Sequence, residues 1–176
     1  MEIIIRQEEI KDYGLSERVV EQAFKNMDHS DHKEHHLVSR LRKTSFFIPE
    51  LSIVAEVQGE IVGHIMLTEC LIKNEANEYI SLALAPVSVL PEYQEKGIGT
   101  NMIHKSISIA KDLGYKSIIV LGHEDYYTRF GFKPASKWGI QAPFDVPDES
   151  FMALELKDGS LEGVKGTVVY PKEFFE

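Results

Sequence analysis

Apolar positions change their spacing several times along the chain, and each change marks an element. Residues 3–6, Ile-Ile-Ile-Arg, read as a short first strand. Val19, Val20, Ala23, Phe24 and Met27 recur at helical spacing, with Ser16 as the cap and Glu17 in the first turn. Asp31 and Glu34 form a capping-box-like start to a second helix, whose apolar face includes Leu37, Val38 and Leu41. Residues 51–57 and 61–72 predict two strands, and Gln58-Gly59 between them predicts a hairpin turn. A polar turn at 73–78 leads to a strand over 79–89. Residues 98–113 predict an amphipathic helix with Ile98, Met102, Ile103, Ala110 and Leu113 on or near one face, ended by Gly114. A short buried strand follows at 117–121, then a short helix at 126–130 closed by Gly131. Beyond Pro134 the pattern loosens: Gly139, Pro143 and Pro147 mark loops, and 151–156 and 166–170 predict further strands.

Composition narrows the class. A chain of 176 residues with 43% hydrophobic content suits one domain with a sizeable core. The expected organisation is therefore a single domain over 1–176, with its core at about 3–134. Residues 135–176 would add C-terminal strands and loops, serving the acceptor site or a dimer contact. The single cysteine, Cys70, excludes an intramolecular disulfide and any C-x-x-C metal site; its apolar neighbours make it a core residue. No apolar stretch approaches the ~18 residues of a membrane span, and the N-terminus lacks a leader pattern, so a cytoplasmic protein is expected. A net charge of −9 argues against nucleic-acid partners, which demand a basic face. It suits a cationic substrate such as a free amine, although acidity also serves solubility alone.

The most informative stretch is residues 89–100, V-L-P-E-Y-Q-E-K-G-I-G-T. A strand passes through a proline turn into Q-x-x-G-x-G and then at once into a helix. The first turn of a helix leaves backbone N–H groups unpartnered, and the peptide dipoles add partial positive charge there. Glycines allow close approach to that backbone, so a diphosphate is the natural ligand. No G-K-[ST] follows, which excludes a Walker loop, and no dinucleotide fingerprint surrounds the glycines. A second motif, Y-x-x-x-G-F, begins at Tyr127 and ends on Gly131-Phe132.

Together, V-x-V-x-P-x-x-Q-x-x-G-x-G and Y-x-x-x-G-F resemble the GCN5-related N-acetyltransferase (GNAT) superfamily. The likeness runs from Ile3 to about Phe132 and is strongest over 82–134. It implies a mixed α/β chain with the acyl-CoA N-acyltransferase fold: a central, mostly antiparallel sheet, splayed where the cofactor enters and flanked by helices. It further implies acetyl-CoA as acyl donor. Pro86, inside a strand, suggests a bulge. Val87, Ser88 and Val89 would offer main-chain groups to the pantetheine arm, one N–H stabilising the tetrahedral oxyanion. Gln94, Glu95, Lys96, Gly97, Ile98, Gly99 and Thr100 would hold the pyrophosphate, Lys96 adding charge and Thr100 a hydroxyl.

Tyr127 matches the family tyrosine that protonates the departing CoA thiolate; Tyr126 is its competitor one residue away. The general base is open. Some members carry a glutamate at the strand end before this helix, where this chain has Gly122, and no asparagine lies between Leu121 and Gly131. His123, Glu124, Glu69 and water are the alternatives. His32, His35 and His36 could share a helix face, but no distant ligand matches them, and no metal is expected. The resemblance thus implies an N-acetyltransferase acting on a primary amine. A small amine, an amino-acid derivative, an aminoglycoside-like compound and a protein terminus are the open acceptors, the acidic balance favouring a small-molecule amine. A monomer or homodimer with no nucleic-acid or membrane partner is expected. The alternative is a non-catalytic acyl-CoA binding or sensing module.

Overall fold

The computed structural model describes residues 1–176. They form two compact units: Met1–Thr68, Ala85–Ile109 and Glu173–Glu176 in the first, Glu69–Leu84 and Ala110–Lys172 in the second. The elements in chain order are β1 (Ile4–Gln7), α1 (Tyr13–Phe24), α2 (Glu34–Leu41), β2 (Phe47–Val57), β3 (Glu60–Lys73), β4 (Glu78–Val89), α3 (Ile98–Asp112), β5 (Ser117–Leu121), α4 (Glu124–Tyr127), β6 (Lys133–Pro134), β7 (Ile140–Gln141), β8 (Phe151–Glu155) and β9 (Gly166–Val169). Hydrogen bonding orders the strands β1-β2-β3-β4-β5-β8-β6, a mixed, mostly antiparallel sheet flanked by helices, as the sequence resemblance implied.

In the first unit, β1 and β2 pair antiparallel with Ile4 opposite Glu56, and β2 and β3 pair with Val57 opposite Glu60. The hairpin turn is Gln58-Gly59, both left-handed at φ 50° and 79°, which suits the twist of a two-residue connection. Met66 packs with Val20 and with Val38 and Leu41 in one buried cluster, and Phe174 closes it from the C-terminus. Arg40 holds that terminus by donating to the Glu173 carbonyl at 3.0 Å. Towards α3, a Cβ on Gly63 would meet Met102 Cε at 3.0 Å, so this helix lies close to the hairpin because residue 63 has no side chain.

Both early helices begin at places other than those the spacing predicted. α1 starts three residues before Ser16, which lies buried inside the helix with its Oγ unpartnered. The cause is Asp12: its Oδ2 accepts from the Glu9 N–H and from Arg6, both at 2.8 Å, and so turns the chain earlier. α2 starts at Glu34, later than the Asp31 cap predicted. Asp31 instead accepts from the Lys33 N–H at 2.8 Å, and His32 sits at φ 60°. His32 is therefore off the helix that carries His35 and His36, and no three metal-ligating side chains come together. Met27 and Leu113 fall beyond α1 and α3 and are exposed.

A buried polar cluster lies in the same unit. Glu8 accepts from Arg42 at 2.7 Å and from Ser52 Oγ at 2.6 Å, and His64 Nε2 stands 3.6 Å from it. Arg42 also reaches Glu17 of α1 at 2.5 Å. Burial pushes the His64 pKa down to about 4, against the upward pull of Glu8 and with Arg42 adding to the fall. The folded value lies below the unfolded one, so the unfolded chain takes up this proton first. The contribution is present above about pH 6.5 and is lost as pH falls towards 4. Urea titrations near pH 7 and about pH 4.5 should show wild type losing about 2 kcal/mol more than His64→Gln. Equal losses would remove His64 as the titrating group.

In the second unit, β4 pairs parallel with β5 through Leu82–Ile118 and Ala83–Ile119. β5 pairs antiparallel with β8 from Ser117–Glu155 to Leu121–Phe151, and β6 extends β8. β9 joins the end of β3, and β7 pairs parallel with β9. Cys70 is buried as expected, and burial pushes its thiol up to about 12. Phe144 stacks on Tyr170 at 6.1 Å and meets Phe151 edge-on at 6.4 Å, tying down the loop around Pro143 and Pro147. No helix is long and apolar enough to cross a membrane.

Candidate functional site

The segment expected to meet the cofactor lies in the first unit. The peptide bond before Pro86 is cis. From Ala85 onward burial alternates: Ala85, Val87 and Val89 are half-buried, whereas Pro86, Ser88 and Leu90 are buried. The period of two sends Val87 and Val89 to one face and Ser88 to the other. Ser88 Oγ is buried without a hydrogen-bond partner. Leu90 N–H donates to the Val62 carbonyl at 2.9 Å, fixing the strand end against β3.

Pro91–Tyr93 then make one 3-10 turn, closed by Tyr93 N–H on the Leu90 carbonyl at 2.9 Å. Gln94 folds back, its Nε2 donating to the Val89 carbonyl at 3.0 Å. Glu95 and Gly97 both take left-handed φ, 62° and 82°. These two reversals turn the chain from the strand end into α3. A Cβ on Gly97 would meet nothing within 4 Å, so the backbone conformation, not crowding, calls for glycine. Ile98 is buried and anchors the first turn of α3, while the Gly97 carbonyl accepts from Asn101 N–H at 3.0 Å. Glu95 and Lys96 are exposed; Gly99 and Thr100 are half-buried in the first helical turn. The residues predicted from sequence to bind the cofactor thus follow one another along a single strand end, reversal and helix start. The Gln94 brace was invisible in the sequence because it depends on the 3-10 turn Pro91–Tyr93, which brings position 94 back to the strand end.

Tyr127 lies in the second unit, at the end of α4. A 3-10 turn, Thr128–Phe130, follows, and Gly131 ends it at φ 97°. Tyr127 is 7% exposed. Its ring meets Tyr126 edge-on at 5.1 Å and Phe132 edge-on at 5.6 Å. Burial first, and Tyr126 second, push its phenol above the usual tyrosine value, so it stays protonated through the neutral range. Tyr126, about 100° around the helix, is half-buried beneath the Arg129 guanidinium, 4.5 Å from its ring centroid.

Of the base alternatives, His123 and Glu124 are exposed at the start of α4. Glu69 accepts from the Tyr115 hydroxyl at 2.6 Å, so its carboxylate is already engaged. Gly122 follows β5 and donates its N–H to the Ser150 carbonyl at 2.9 Å.

Residues 16–132 match the model of the acetyltransferase (GNAT) family. YjhQ of Escherichia coli strain K12, an uncharacterized N-acetyltransferase, is 39% identical over 118 residues; the match covers 66% of this chain and 65% of that relative. Among solved structures, a GNAT-family acetyltransferase from Brucella melitensis in complex with acetyl-CoA is 32% identical. It matches with a TM-score of 0.81 over 98% of both chains. YhbS of Escherichia coli, a GNAT-family N-acetyltransferase in complex with CoA, shares the fold at 23% identity. Its TM-score is 0.86 over 99% of this chain and 92% of that one.

Proposed function

Since this chain belongs to the GNAT family of acetyltransferases, we propose that it moves an acetyl group from acetyl-CoA to a small primary amine by direct attack. The observation that carries this reading is the segment from Val87 to Thr100. A strand end, a turn braced by Gln94 and left-handed at Gly97, and a helix N-terminus follow in order. Backbone N–H groups of Gly97, Ile98, Gly99 and Thr100 are of the kind that hold a diphosphate. Gln94, Glu95 and Lys96 shape the approach, and main-chain groups of Val87, Ser88 and Val89 serve the pantetheine arm. The acetyl-CoA and CoA held by the Brucella and Escherichia relatives support the choice of donor.

In the reaction the amine nitrogen forms a bond to the acetyl carbon and the carbon–sulfur bond breaks. The leaving thiolate needs a proton, and Tyr127, neutral at pH 7, supplies it. The amine sheds its own proton to His123, Glu124, Glu69 or water. The net charge of −9 favours a cationic acceptor.

Calorimetric titration with acetyl-CoA, beside ATP and NAD, tests the donor. Acetyl-CoA alone should bind. Gly97→Val should weaken it about 5- to 150-fold, because a β-branched residue at left-handed φ costs about 1–3 kcal/mol. No binding by folded protein would overturn both transfer and acyl-CoA sensing.

A further inference from the structure

Gly122 stands at the strand end where some relatives carry a glutamate, and nothing in its own backbone calls for glycine. It is absent from the residues with left-handed φ. What excludes a side chain is the Tyr127 ring. A Cβ at position 122 would lie 2.3 Å from Tyr127 Cε2 and 2.9 Å from its Cδ2. Both are far inside the ~3.5–4.0 Å optimum for a carbon pair. The ring has little room to yield. Tyr127 N–H donates to the His123 carbonyl at 3.1 Å, which fixes its main chain on the first turn of α4. Phe132 and Tyr126 meet the ring edge-on. Gly122 is itself fixed by its bond to Ser150.

We infer that Gly122 is a positioning residue for acetyl transfer: the missing side chain at the end of β5 is the slot that seats the Tyr127 ring. The inference rests on the proposed role of Tyr127 as acid. It also makes the departure from the glutamate pattern intelligible. A strand-end carboxylate and this placement of the phenol are mutually exclusive, because the side chain of one occupies the space of the other. This chain carries the phenol, and the amine's proton must leave by another group.

The test is a double-mutant cycle with Gly122→Ala, Tyr127→Ala and the pair, read by urea unfolding. Gly122→Ala should lower the midpoint in the wild-type background. It should leave the midpoint unchanged or raise it when residue 127 is alanine, since Gly to Ala is otherwise stabilising at compatible φ. Equal shifts in both backgrounds would overturn the slot. If Gly122→Ala does not fold, recovery in the pair supports the slot and failure to recover overturns it.

Turnover is read as release of CoA thiol, with the most rapidly acetylated amine of a panel. Gly122→Ala should lower kcat about 10²-fold with acetyl-CoA affinity unchanged, and add no further loss to Tyr127→Phe. Coupled stabilities beside a fully active Tyr127→Phe would overturn the acid, and with it the catalytic purpose of the slot. A Gly122→Ala enzyme of wild-type kcat beside an inactive Tyr127→Phe would overturn the positioning role alone.

Discussion

Replacing Tyr127 with phenylalanine should lower kcat by about 10²- to 10⁴-fold while leaving acetyl-CoA affinity unchanged, if the phenol is the acid we propose. The substitution removes only an oxygen. The ring contacts with Tyr126 and Phe132 persist, so the second unit keeps its packing around α4. What disappears is the one buried phenol at the motif position, whose proton is held more tightly than in free tyrosine because water is excluded from it. A thiolate leaving without that partner would take its proton from solvent, and the barrier should rise by about 3–5 kcal/mol. Steady-state release of CoA thiol against the same amine gives kcat and KM, and calorimetry gives the acetyl-CoA affinity. A variant within twofold of wild type would sink Tyr127 as the acid and turn attention to Tyr126. A variant that loses acetyl-CoA affinity would make the ring a binding element instead.

The strands were legible as short apolar runs bounded by turn residues, buried nearly throughout in β3, β5 and β8, and the loop because glycine and proline punctuate it. The Gln58-Gly59 turn is read correctly from its glycine, which takes left-handed φ without cost, whereas Gln58 is left-handed because the two-residue connection demands it and not because glutamine favours it. Helix starts were less legible. Ser16 and Asp31 have good capping side chains, yet Asp12, held by Arg6, and the turn at His32 decide where the helices begin. Those decisions rest on contacts made after the chain has folded. The same holds for the histidine tract, which loses its common face once His32 leaves the helix.

Chemistry follows the same division. The loop from Gln94 to Thr100 announces itself through spacing. Gly122 does not, because its meaning depends on a ring five residues further on. Nor does His64, an isolated polar residue in the apolar run of β3. Only its fold-level neighbours, Glu8, Arg42 and Ser52, explain why a histidine is accepted there.

Substituting Arg42 with methionine should cost about 3–5 kcal/mol of stability, the largest effect expected of any change outside the loop and Tyr127. The Arg42 side chain is 5% exposed and that of Glu8 is 0% exposed. Arg42 joins Glu8, which follows β1, to Glu17 of α1, while its guanidinium lies 4.0 Å from the Tyr13 ring centroid. Methionine fills much of the volume but leaves the Glu8 carboxylate with Ser52 as its remaining donor at hydrogen-bond distance. An unpaired carboxylate away from water is what makes breaking a buried pair so costly, even where the intact pair contributes little. Removing the charge at the same time should recover much of the loss. In urea titrations, Glu8→Gln with Arg42→Met should therefore cost less than the sum of the single changes, by about 1–3 kcal/mol. Additive costs would mean that the two side chains act separately, as packing groups rather than as a pair.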